Sequence, residues 1–130
     1  MTLTDLHGHA LTGATADSLA AYEHAQRELR CYIGDPVASV DRALAASPGM
    51  TMAHLLKAWL HLLGTEPGGL DVARACCEAA GALPATERER AHLHAATLLT
   101  AGRWRDAGRA LEDLSLRCPR DVLALQAGHQ

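Results

Sequence analysis

Three prolines frame the chain. Pro48, Pro84 and Pro119 fall thirty-six and thirty-five residues apart. Each follows a stretch with the apolar spacing of an α-helix, and proline cannot continue a helix. The last interval closes with G-R-W-R-D-A-G-R-A-L-E-D-L-S-L-R-C-P, Gly102 to Pro119. There Ala107, Leu111 and Leu114 stand at i, i+4 and i+7, one stripe of a helix. The small Ala107 lets a second helix approach closely. A period of this length with a helix terminator at each end points to stacked helical hairpins.

Local signals place the helices. Thr15 is an N-cap for a first helix over 16–31, with Leu19, Tyr22, Gln26 and Leu29 on one side. Asp35 caps a second helix that begins at Pro36 and runs to Ala46, with Val37, Val40, Ala43 and Leu44 inward. The third, over 51–64, is the most amphipathic, with Met52, Leu55, Leu56, Trp59, Leu62 and Leu63 on its apolar face. A fourth over 70–82 carries Val72, Cys76, Ala79 and Ala80. Thr86 and Glu89 form a capping box for a fifth over 87–101, with Ala91, Ala95, Leu98 and Leu99 inward. The Gly102–Pro119 stretch holds the sixth, and Asp121 caps the start of a seventh. Residues 1–14 read as an irregular N-terminal segment, followed by one helical domain over 15–130.

Composition narrows the function classes. The formal net charge of the 130 residues is -3, which argues against a general nucleic-acid binder or a membrane-surface protein. Aromatic residues make up 3% and phenylalanine is absent, so base-stacking platforms are scarce. No apolar run approaches the roughly 18 residues that span a bilayer, and the start lacks the pattern of a secretory signal. Lys57 is the sole lysine among many arginines, a pattern that suggests a GC-rich bacterial genome. Cys31, Cys76, Cys77 and Cys118 form no C-x-x-C pair and read as free thiols of a cytoplasmic protein.

The Gly102–Pro119 stretch resembles the second half of a tetratricopeptide repeat, whose usual period is about 34 residues. Gly102 takes the turn, Trp104 the aromatic position after it, and Pro119 the end. Three helix pairs follow, 15–48, 49–84 and 85–119, with a further helix opening at 121. L-T-G-A-T near the start, A-H-L-L-K-A-W-L-H-L-L-G-T-E, L-P-A-T-E-R-E-R-A-H-L and P-R-D-V-L-A-L-Q-A-G-H-Q together resemble the tetratricopeptide repeat protein 38-like family over nearly the whole chain. The resemblance implies an all-α fold. Its tetratricopeptide-like helical-hairpin repeats would form a right-handed superhelix of about six to seven antiparallel helices, continued by further pairs in the family's longer members. It carries over no catalytic residue and no substrate.

The expected function is a non-catalytic interaction scaffold that binds a peptide or partner protein in a concave groove. His54, Lys57 and His61 lie at i, i+3 and i+7 on the third helix, opposite its Leu/Trp face. A lysine with two imidazoles can hold a carboxylate, and these positions resemble those with which tetratricopeptide arrays grip acidic tails. His92 joins them as a groove candidate on the fifth helix. The alternative is the N-terminal part of a larger repeat protein or enzyme whose small-molecule pocket is completed by further C-terminal repeats.

No cofactor and no metal is expected. His7 and His9 lie in the loose start, while His92 and His94, two apart on a helix, point about 200° apart. His94 falls on a packing position, and Cys77 is expected to be more exposed than Cys76. Arg103, Arg105, Arg109, Arg117 and Arg120 read as a salt-bridged face, with Arg109 paired to Asp106 or Asp113. The Leu98, Leu111 and Leu114 side is expected to expose apolar surface and drive weak self-association.

Overall fold

A computed structural model describes residues 3–64 and 67–128. Among them the fold is helical apart from one short ribbon, β1 (Leu3–Thr4) antiparallel to β2 (Ala10–Leu11). The helices are α1 (Ala16–Cys31), α2 (Pro36–Ala46), α3 (Thr51–Leu63), α4 (Gly69–Gly81), α5 (Glu87–Thr100), α6 (Trp104–Arg117) and α7 (Val122–Gly128).

Their ends follow the local chemistry. The Thr15 hydroxyl accepts the Ser18 amide, the Asp35 carboxylate accepts the Ala38 amide, and Thr86 and Glu89 form the reciprocal capping box. The Asp121 carboxylate accepts the Ala124 amide at 3.0 Å and starts α7. At the end of α5, Gly102 adopts φ 78, which glycine reaches without strain. The Gly102 amide donates to the Leu99 carbonyl and the Arg103 amide to that of Leu98, closing a Schellman turn.

Neighbouring helices pack as α1 on α2, α3 on α4, α5 on α6 and α6 on α7. The odd-numbered helices also come round to one another. α3 meets both α1 and α5. His92 of α5 bonds Asp121 at the head of α7, and Gln126 of α7 donates to the Leu29 carbonyl of α1 at 3.5 Å. Tyr22, Trp59 and His92, one from each of α1, α3 and α5, are shut off from solvent.

α3 is the centre of the core. Met52, Ala53, Leu55, Leu56, Ala58 and Trp59 are all fully buried, so it is apolar nearly all round rather than on one face. In α5 the buried residues are Glu89, His92, Ala95, Ala96 and Thr100, while Ala91, Leu98 and Leu99 are only half-buried. The inward stripe is turned from the one that apolar periodicity marks, because a carboxylate and an imidazole occupy it.

Within the segment read as irregular, residues 3–14 carry the β1–β2 ribbon. Asp5 accepts the backbone amides of His7 and His9, both at 2.9 Å, which closes the ribbon. Thr12 then straps the segment to two helix heads. Its amide and hydroxyl donate to the Glu89 carboxylate at 3.1 and 2.6 Å, and its carbonyl accepts the Thr51 amide at 3.3 Å. Gly13 follows at φ 76, where a Cβ would overlap the Gly49 carbonyl. Three expectations are corrected by packing. Leu111 and Leu114 are buried, with α7 packed on α6. Cys77 is buried like Cys76, and burial pushes both thiols up. His94 is exposed. Trp104, the first residue of α6, follows the Gly102 turn as expected and is 74% exposed.

Candidate functional site

Three places stand out: a sealed polar relay in the interior, a charged open cleft and a mainly apolar one. The relay begins at Trp59. Indole nitrogen can only donate, so Trp59 Nε1 donates to His92 Nδ1 at 3.1 Å. The other ring nitrogen of His92 therefore carries its proton, and Nε2 donates to Asp121 Oδ2 at 2.7 Å. Arg88 Nη1 donates to the same oxygen at 2.9 Å, and its Nη2 lies 3.9 Å from Asp5 of the ribbon turn. α3, α5, the head of α7 and the N-terminal ribbon thus meet on one set of buried polar groups.

The electrostatics fit a fixed ion cluster. Burial would raise the Asp121 carboxyl, but the His92 hydrogen bond and the Arg88 charge outweigh it and hold the group well below the usual carboxylate range. Burial opposes the Arg88 charge, yet the Asp121 and Asp5 carboxylates around it keep the guanidinium protonated. Burial drives the Tyr22 hydroxyl far up, so it stays neutral. Tyr22 Oη and Arg88 Nε and Nη2 have no hydrogen-bond partner among the described residues.

Asp, His and Arg in a line invite a catalytic reading, which the geometry opposes. His92 is 0% and Asp121 2% exposed, and both imidazole nitrogens are engaged. A general base needs a free nitrogen within reach of a substrate proton. The relay instead satisfies buried polar groups that would otherwise be costly.

The four groove candidates have different surroundings. His92 is inside this relay, so its expected place on a groove surface is corrected. Lys57 Nζ lies 2.7 Å from Asp41 Oδ1, which ties α3 to α2. The His54 ring bonds the Pro48 carbonyl at 2.7 Å, at the turn into α3. His61 is one of the residues lining a cleft of about 370 Å³ with Leu62, Leu70, Leu99 and Trp104.

The second cleft lies between α5 and α6 and measures about 410 Å³. His94, Arg103, Arg109 and Arg117 line it together with Asp106 and Asp113. Asp106 pairs with Arg103, and Asp113 with Arg117 Nε at 3.1 Å. Arg109 was expected to take one of these carboxylates and takes neither. Asp113–Arg117 has the acid one turn before the base, the favoured order on a helix. Arg109 and His94 are left as exposed donors with no ion pair among the described residues. Apolar periodicity could not single them out, because the choice between rival ion pairs depends on side-chain placement.

The described residues hold no group of three or more metal-ligating side chains. None of the described helices is long and apolar enough to cross a membrane. No protein-family model matches the chain, and neither curated proteins nor solved structures give a significant match.

Proposed function

We propose that the chain is a non-catalytic interaction module of tetratricopeptide-like hairpins, akin to the tetratricopeptide repeat protein 38-like family. It binds an acidic segment of a partner protein in the α5–α6 cleft. The observation that carries this reading is the pair of uncommitted donors, Arg109 and His94, on the wall of one open cleft. Arginine and imidazole suit carboxylates, and the flanking Asp–Arg pairs hold the cleft without using those donors. The helix order, with each hairpin followed by another and the odd helices adjoining, supports the repeat reading. The sealed relay supports the non-catalytic one.

Lys57 and His54 serve helix packing in this account, and the acidic ligand goes to α5 and α6. A fluorescent glutamate-rich peptide titrated into the full chain tests it. Affinity should fall as salt rises, and Arg109→Glu should weaken binding by about tenfold, which corresponds to about 1.4 kcal/mol. Lys57→Ala should leave it unchanged. Binding lost with Lys57 and indifferent to Arg109 would return the site to α3.

A further inference from the structure

Resting on the α5–α6 cleft as the seat of an acidic segment, we propose that the segment it takes is amphipathic. One carboxylate meets Arg109 and His94, and an apolar side chain beside it settles on Ala91, Leu98 and Ala110, which line the same cleft. These three are half-buried, so each keeps part of its apolar surface in contact with water until a ligand covers it.

The charges limit how many acids the ligand can bring. Asp106 stands three residues before Arg109 and Asp113 four after it, so both flank it on one side of α6. Arg103 is engaged by Asp106 and Arg117 by Asp113. Arg109 and His94 are left for one ligand carboxylate, and a further acid on either side of it approaches an aspartate of like charge. A longer run of acids therefore adds little. The remaining lining is apolar, and covering it gains affinity in proportion to the area removed from water. The cleft measures about 410 Å³, which leaves room for a side chain next to the acid.

The test uses three fluorescent peptides of equal length, titrated into the full chain. One repeats pairs of glutamates and leucines, the second replaces leucine with serine, and the third replaces glutamate with glutamine. The glutamate–leucine peptide should bind about tenfold tighter than either of the others. Leu98→Ser should bring it down to the level of the glutamate–serine peptide while leaving that second peptide unchanged, which also shows that the cleft still stands. Ala110→Gln should do the same by covering the apolar surface from within. Equal affinity of the two glutamate peptides overturns the amphipathic ligand and leaves the acidic site in place. So does a gain from leucine that survives both Leu98→Ser and Ala110→Gln. Failure of both glutamate peptides to bind, or binding indifferent to Arg109→Glu, overturns the acidic site itself and the amphipathic ligand with it. A glutamine–leucine peptide as tight as the glutamate–leucine one has the same consequence.

Discussion

His92 carries more of the structure than any surface histidine. Its two nitrogens join an indole donor on α3 to a carboxylate at the head of α7. His92→Ala should therefore leave the buried Trp59 Nε1 without an acceptor and take one of two donors from Asp121 Oδ2, at a cost of about 2–4 kcal/mol read as a lowered urea midpoint. Lys57→Ala breaks a partly exposed pair and should cost less than about 1 kcal/mol. Asp121 also makes stability depend on pH. Its carboxyl is held low in the folded chain, so around that range the unfolded chain binds more protons. The stabilisation is complete above the ordinary carboxylate range near about pH 4 and is lost as pH falls towards the folded value. Urea titrations from neutral to acid pH should show that loss, and Asp121→Asn should flatten it.

At the scale of elements, the strap through Thr12 is the most exposed dependence. Thr12→Val removes the hydroxyl that donates to buried Glu89 and should cost about 1–2 kcal/mol. Gly13→Ala should cost more, since it combines a positive φ with overlap on the Gly49 carbonyl. Hydrogen exchange at the head of α5 would report both, and unchanged protection there would show that the ribbon is dispensable. These elements also mark what was legible beforehand. Helix ends were readable because caps act over three or four residues, as at Thr15, Asp35, Thr86 and Asp121. The ribbon escaped because its signal is a single aspartate taking two nearby amides amid Gly and His. The polar interior escaped for a different reason. Thr12 and Glu89 are 77 residues apart, and Trp59 and His92 are 33 apart, so no local pattern pairs them. Periodicity sends polar residues outward by default, which is why His92 reads as a groove residue while it is buried.

For the molecule as a whole, α7 works as the cover of the last hairpin. Its Leu123, Ala124 and Ala127 are buried, and it packs on the helix that carries Leu111 and Leu114. Removing residues from 121 onward would bare that side and take Asp121 from His92. Such a chain should self-associate by light scattering, whereas the full chain at the same concentration should remain smaller in mass. The relay closes the odd helices on one another, and the two clefts face outward with different chemistries.

The most direct measurement maps a glutamate-rich peptide onto the isotope-labelled full chain by amide and side-chain shifts. Saturable shifts are expected at His94, Arg109 and their neighbours on α5 and α6, lost in Arg109→Glu, with the resonances of His54 and Lys57 unmoved. Shifts centred on α3, or none that saturate, would contradict the account.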